Sequence, residues 1–418
     1  MIKNKLFIFI LFGILCCATA CGDSETGDLS GQPTVTAGAE EQAAPTATPT
    51  AVATPTPTPT TGPTPYPQVG DSDFPCLYER YQDYFSIGIG VVKYDILTKE
   101  RADLILSQFN SMTCGNEMKA DAVLDYNKTI SEGTEECPVL NFGQADAILR
   151  FCQKNNIPVR GHTLIWHSQT PKWFFTEGYS KAADAPLVSK DVMLKRMENY
   201  IRLEMEYINT TYPGLVYAWD VVNEAVDTGA GVNGYRAKES YYYQIIGEEY
   251  IERAFEFARK YADPEQKLFY NDFNTHDGLK AYKIINILKP IVEKGWIDGI
   301  GLQSHLQLDY PSLIDFRTSV MDYAKLGVEI HITELDIDAK DNSEETQMKL
   351  AKRYKNFFAM MCQLKDSGIP ITNVTIWGLS DEGSWLTQDG DSSWPILFDW
   401  SLQAKPAYWG AMQDESIQ

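Results

Sequence analysis

Two glutamates stand at the ends of strand-like apolar runs. Glu224 closes residues 215–224 and Glu334 closes residues 327–334. A pair of carboxylates on facing walls is the equipment for cleaving an acetal. One donates a proton to the leaving oxygen, and the other meets the oxocarbenium-like carbon. Two close carboxylates also push each other's pKa values apart, which keeps one protonated while the other is charged. The plain alternative is two surface acids near helix N-termini, where negative charge is mildly favoured. The company they keep favours chemistry: Asn223 precedes Glu224 and Asp336 follows Glu334. Other expected strand ends carry groups of the same kind, namely Asn116 and Lys119, His162 and Trp166, Tyr270 and Asn271, Gln303 and His305, then Trp377 and Trp385. Such side chains hydrogen-bond hydroxyls or stack on flat apolar faces such as sugar rings. His162 and His167 have no third ligand at metal-site spacing, so no metal is expected.

The elements that must hold these groups alternate. Runs rich in β-branched and aromatic residues occur near 85–92, 105–113, 157–165, 215–223, 267–271, 297–303, 327–334 and 371–378, with helix-like stretches between most of them. In one of these, Asp191 to Tyr212, residues Met193, Met197, Ile201, Met205 and Ile208 form an apolar stripe at helical spacing, which is core packing. Eight βα units predict an α/β fold, a single (β/α)8 TIM barrel, whose active site lies at the carboxyl ends of the strands. A doubly wound open sheet is the runner-up, but no glycine-rich phosphate loop follows the first strand.

Five motifs, in order and at barrel spacing, carry a family resemblance: residues 161–169, 219–225, 299–305, 332–336 and 375–381. Over about residues 80–412 the chain resembles glycoside hydrolase family 10, the endo-β-1,4-xylanases. The resemblance implies a retaining mechanism with Glu224 as acid/base and Glu334 as nucleophile. It implies that Asn223 bonds the sugar 2-hydroxyl and that His305, backed by Asp336, holds Glu334. Asn116, Lys119, His162, Trp166 and Gln303 would grip sugars on the non-reducing side, with Tyr270 and Asn271 counted among the substrate-binding groups. Trp377 and Trp385 would form a stacking floor and lid. The partners implied are xylan and xylo-oligosaccharides, taken by a single chain, and no cofactor is needed for displacement by a carboxylate and then by water. Two departures stand out: Gly115 occupies the place of an expected glutamate, and Ala120 that of a common tryptophan. Loss of that carboxylate predicts weaker binding of the second sugar inward. A related β-1,4-glucanase, or a surface lipoprotein that only binds xylan-derived sugars, are the competing readings.

The rest of the chain sets the context. Acidic residues outnumber basic ones by 57 to 36, for a formal charge of −21, which excludes the basic footprint that nucleic acid requires. A basic start (Lys3, Lys5), an apolar run from Leu6 to Leu15 and Ala18-Thr19-Ala20-Cys21 describe an export signal over residues 1–20. Cys21 is placed for lipidation, which would make the lipid the chain's one attachment to a membrane; plain signal-peptidase cleavage and free secretion are the alternative. Residues 22–70, with alternating Pro and Thr from Pro45 to Pro67, bury too little apolar surface to fold. As an extended spacer the Pro/Thr part reaches about 70 Å. The catalytic domain is expected over 71–418. Of its five cysteines, Cys76, Cys114, Cys137, Cys152 and Cys362, one or two pairs are expected to form disulfides in an oxidising compartment, with connectivity open. The stretch Asp125 to Leu140 reads as a long loop, His167 as a structural hydrogen-bonding residue, and Trp400 and Trp409 as packing.

Overall fold

The computed structural model describes residues 66–388 and 392–418. The export segment, Cys21 and the Pro/Thr stretch up to residue 65 lie outside the described residues. Eight strands close a parallel barrel: β1 (Ser86–Val91), β2 (Ser111–Cys114), β3 (Val159–Trp166), β4 (Val216–Asn223), β5 (Lys267–Asp272), β6 (Gly299–Leu302), β7 (Glu329–Asp338) and β8 (Ile371–Ile376). Each pairs in parallel with its sequence neighbour, and β8 returns to β1 through Ile87↔Val374 and Ile89↔Ile376. Strands buried on both faces read as continuous apolar runs; seven of the eight residues of β4 are buried.

Helices cover the outside, and local chemistry starts several of them. Thr98, Ser189, Asp277, Ser312 and Ser343 each accept a backbone N–H at a helix start, satisfying an otherwise orphaned donor. The 22-residue helix Lys190–Thr211 buries Met193, Met197, Ile201, Met205 and Ile208, the stripe expected at 191–212.

The structure corrects several expectations. The strand expected over 105–113 begins only at Ser111, because residues 105–108 complete the helix Lys99–Gln108 and bury Ile105 on its inner face. The segment Asp125 to Leu140 contains a helix, Tyr126–Glu132. Its Glu135 pairs with Arg196 at 2.9 Å, and the same guanidinium donates to the carbonyls of Phe174 and Thr176. The folded part starts a little before residue 71: the Tyr66 ring stacks on Trp409 at 4.6 Å. Trp409 is packed as expected, whereas Trp400 is 46% exposed. All five cysteines among the described residues are free thiols. Cys114 and Cys152 are buried in apolar surroundings, where Cys152 Sγ rests 3.4 Å from Met112 Sδ, so the expected disulfides are absent there.

Irregular register re-aims side chains near the strand ends. Shifts fall between His162 and Ile165 on β3, between Asp220 and Val222 on β4, and between Ile332 and Leu335 on β7. Such bulges are a common means of turning a side chain toward a site. After β6 a short strand, His305–Gln307, runs beside the end of β7 with His305 opposite Asp336.

Candidate active site

The two glutamates meet at the carboxyl end of the barrel through one shared neighbour. Gln303, just past β6, donates from Nε2 to Glu224 Oε1 at 2.9 Å, while its backbone carbonyl accepts the Glu334 N–H at 2.9 Å. Trp166 Nε1 donates to Glu224 Oε2 at 2.9 Å. Glu224 is partly exposed and has φ of 55°, a left-handed conformation that non-glycine residues seldom adopt and that clusters at functional sites.

Glu334 sits deeper, at 5% exposure. Asn271 Nδ2 donates to its Oε1 at 2.8 Å, and His305 Nε2 lies 3.3 Å from its Oε2. The other nitrogen of His305 is 3.0 Å from Asp336 Oδ1, and Trp385 Nε1 donates to Asp336 Oδ2 at 2.8 Å. Burial alone pushes the His305 imidazole down, but the Asp336 and Glu334 carboxylates outweigh it and hold the ring up to about 10. His305 is therefore an imidazolium clamped between two carboxylates. Burial likewise pushes the Glu334 carboxyl up, yet the bond from His305, the nearby His162 and the Asn271 amide bring it below the usual glutamate value. Glu334 is thus held ionised in a site where an isolated carboxylate would take a proton.

Around this pair lie the remaining expected groups. The Asn223 side-chain amide lies 2.9 Å from Asn271 Nδ2 and 3.3 Å from Gln303 Nε2. Lys119 Nζ donates to Asn116 Oδ1 at 3.1 Å and to Gln169 Oε1 at 2.9 Å, and lies 4.9 Å from the centre of the Trp166 ring. Burial lowers the Lys119 ammonium, opposed by Glu334, Asp121 and Glu224. His162 bonds Asp220 at 2.9 Å and meets the Trp377 ring edge-on at 5.6 Å. Trp377 lies directly across Gly90 of β1, where a Cβ has no room.

Two expected substrate contacts are corrected. Tyr270 and Asn271 have no exposed surface and cannot touch a sugar. Tyr270 donates to Asp272 Oδ2 at 2.5 Å and accepts the Ala225 N–H at 3.1 Å; Asn271 instead orients Glu334. His167 makes no hydrogen bond through its buried Nδ1; burial, with Arg236 and Lys280 nearby, pushes it down to about 3.

A charged pair not expected from the sequence lies below the site. Arg160 grips Asp220 with both terminal nitrogens, at 3.0 and 2.7 Å, deep in the barrel. Burial pushes Asp220 up, but Arg160 and His162 hold it down to about 2. The available signal was a charged residue inside each of two apolar strands, which is rarely tolerated unless paired. Gln169 and Arg236 gave no such signal, because both lie in loops. At the departure near β2, Glu117 does not stand in for the absent glutamate: its carboxylate is occupied by the N–H groups of Lys93, at 2.6 Å, and Asn116, at 3.2 Å.

A family model described as Glycosyl hydrolase family 10 matches residues 76–414. The chain belongs to that family. It is 43% identical over 346 residues to endo-1,4-beta-xylanase B of Butyrivibrio fibrisolvens, an alignment spanning 81% of this chain and 53% of the relative. It is 40% identical over 354 residues to endo-1,4-beta-xylanase A of Thermotoga maritima, spanning 83% of this chain and 31% of the relative. The chain thus spans about half the length of the first relative and about a third of the second. Among family 10 structures, that of the intracellular xylanase from Thermoanaerobacterium saccharolyticum, as a mutant with xylotriose, superposes with a TM-score of 0.72 at 35% identity, covering 82% of this chain and 99% of that one. The Clostridium thermocellum endo-1,4-beta-D-xylanase 10B complexed with xylohexaose gives a TM-score of 0.73 at 35% identity, covering 81% of this chain and 67% of that one.

Proposed function

We propose that this chain is a retaining endo-β-1,4-xylanase in which Glu334 is the nucleophile and Glu224 the acid/base. The observation that carries the reading is Gln303, whose side chain holds Glu224 while its backbone holds Glu334. The side chains between the two carboxyls are also in continuous contact. Gln303 Nε2 lies 3.3 Å from the Asn223 amide, which lies 2.9 Å from the Asn271 Nδ2 that donates to Glu334 at 2.8 Å. Both acids therefore line one polar cluster, as paired carboxyl groups acting on one glycosidic bond must. Their surroundings differ as the two roles demand. Glu334 is buried and kept ionised by His305 and Asn271. Glu224 is more open, at the groove, where it can reach a leaving oxygen.

In the first step the Glu334 carboxylate forms a bond to the anomeric carbon as the glycosidic bond breaks, and the Glu224 carboxyl protonates the departing oxygen. In the second, Glu224 takes a proton from water, which displaces Glu334 and restores the anomeric configuration. Lys119, Asn116, His162, Trp166 and Gln303 would hold the sugars on the non-reducing side, while Trp377 and Trp385 supply stacking surfaces. The names of the relatives and the xylo-oligosaccharides in the neighbouring structures support xylan as the polymer.

Proton NMR of products from xylotetraose tests the mechanism: the β-anomer is expected first, and initial release of the α-anomer refutes it. Glu334→Ala is expected to abolish turnover, and xylan is expected to be cleaved faster than carboxymethylcellulose. The reverse preference would make the chain a glucanase. We also propose that residues 1–20 direct export and that Cys21 carries lipid. Cys21→Ser is then expected to move the protein from the membrane fraction to the medium; an unchanged distribution rejects the anchor.

A further inference from the structure

We infer that Arg236 and Tyr270 are positioning residues that lock the backbone of Glu224 and so aim its carboxyl at the leaving oxygen. The inference rests on the reading of Glu224 as the acid/base.

A residue at the end of a parallel strand normally continues in extended conformation or enters a turn. Glu224 instead has φ of 55°, a region in which the side chain of an L-residue is crowded. Such a conformation persists only where its surroundings over-determine it. Here three hydrogen bonds surround the residue. Its N–H donates to the Asn271 carbonyl at 2.9 Å. Its carbonyl accepts from Arg236 Nε at 3.0 Å. The next N–H, of Ala225, donates to Tyr270 Oη at 3.1 Å. Every polar atom of the two peptide groups nearest the Glu224 Cα is accounted for, except the carbonyl of Asn223.

The two side chains are themselves fixed. Tyr270 has one proton to give, and Asp272 takes it at 2.5 Å, so the phenol oxygen can only accept from Ala225. Asp272 is in turn paired with Lys280 Nζ at 2.7 Å. Arg236 closes a small hairpin in which Val226 faces Tyr235, and its own N–H bonds the Ala225 carbonyl at 2.9 Å. Its guanidinium, 13% exposed, lies 3.7 Å from Asp227 and 5.5 Å from the centre of the Phe273 ring. The donor aimed at Glu224 therefore comes from a side chain braced on two sides. Tyr270 is fully buried and cannot reach a substrate, and the Nε of Arg236 is engaged by the Glu224 carbonyl.

If the clamp serves acid catalysis, its loss harms substrates in proportion to their need for a proton. The test compares kcat/KM on xylotetraose, whose leaving sugar needs protonation, with kcat/KM on 2,4-dinitrophenyl β-xylobioside, whose leaving group does not. The burst of dinitrophenol counts correctly folded sites. Glu224→Ala is the reference and is expected to lose about 10²–10⁴-fold on xylotetraose alone. Arg236→Met, and independently Tyr270→Phe, are expected to lose about tenfold on xylotetraose and less than about twofold on the activated substrate, a fraction of the full acid contribution. Asp227→Asn breaks the ion pair but leaves the carbonyl bond, and is expected to keep the wild-type ratio.

Equal losses on both substrates in Arg236→Met and Tyr270→Phe overturn the inference, as does an unchanged ratio in both. A ratio lowered as far in Asp227→Asn as in Arg236→Met also overturns it, since the ion pair would then be the active element. Should Glu224→Ala itself fail to separate the substrates, the acid/base assignment has failed first. If it separates them and the clamp variants do not, only the clamp is refuted.

Discussion

Gly90→Ala tests whether the floor of the groove is set by a missing side chain. A Cβ at position 90 would lie 2.8 Å from Trp377 Cζ3 and 3.0 Å from its Cδ2, with Cε3 nearer still. Non-bonded carbons rest about 3.5–4.0 Å apart, so the indole must retreat by roughly 1 Å. The strand cannot yield instead: Ile89 and Val91 are buried, and β1 is registered on both sides, by Ile89↔Ile376 and Gly90↔Thr113. The backbone of Trp377 is also pinned, its N–H bonded to the Leu335 carbonyl at 2.9 Å. The ring must therefore tilt away from β1, displacing the surface proposed to stack on a sugar. Overpacking costs about 1–3 kcal/mol, and because one side of the indole is open the low end is expected. A loss of about 1 kcal/mol lowers Tm by about 2–4 °C in a domain of this size. Misplacing a binding surface by roughly 1 Å costs up to about 10²-fold in rate. The assay is kcat/KM on xylotetraose beside a thermal melt. A drop of about 10- to 100-fold with a small change in Tm is expected. An unchanged kcat/KM in a folded variant refutes the assignment of Trp377 as the floor, and a collapse of Tm attributes the effect to the barrel core.

The remaining predictions concern charge and subsites. His305→Asn removes the cation that keeps Glu334 ionised, so burial dominates, the Glu334 carboxyl rises, and the acid limb of the kcat/KM profile moves to higher pH; an unmoved limb contradicts the role of His305. Glu204, fully buried on the helix Lys190–Thr211, is pushed up to about 8 by burial. The folded state then binds a proton that the unfolded state releases above about 4.3, so stability falls as pH rises through that window toward 8, by about 1.4 kcal/mol per unit at most. Glu204→Gln is expected to flatten this part of the curve in urea melts at pH 5 and pH 8, and an equal slope in both proteins counts against it. Gly115→Glu supplies the carboxylate that the family resemblance leads one to expect. Its Cβ would meet Val91 O at 3.2 Å and Val92 Cγ1 at 3.3 Å, so the chain at Gly115, rather than the fixed β1, must shift by a few tenths of an ångström. A single hydrogen bond at about 0.5–1.5 kcal/mol predicts a KM on short xylo-oligosaccharides lower by about 2- to 10-fold, and an unchanged KM leaves Gly115 without a subsite role.

Much of the barrel was legible because parallel strands buried on both faces are written as short apolar runs. The second strand was not, since the residues 105–108 run is short enough to serve as a helix face equally well. The same limit applied at the end of β5. Tyr270 and Asn271 have the chemistry of substrate contacts, but alternation along a strand sends side chains to opposite faces, and register alone decides which way each one points. Arg236 was invisible for another reason: a loop has no periodicity, and its role depends on a carbonyl twelve residues earlier in the chain.

Taken alone, the amino-acid order determined which groups arrive at the strand ends, and so that two glutamates, an imidazole, amides and indoles share one rim. Only tertiary structure decided which atoms touch: that Gln303 spans both glutamates, that Asn271 turns inward to Glu334, and that His305 lies between two carboxylates and keeps its proton. The reason is physical. Residue types and apolar runs are local properties of the chain, whereas distances across a closed barrel, and the charge states they impose, follow from the register of all eight strands at once.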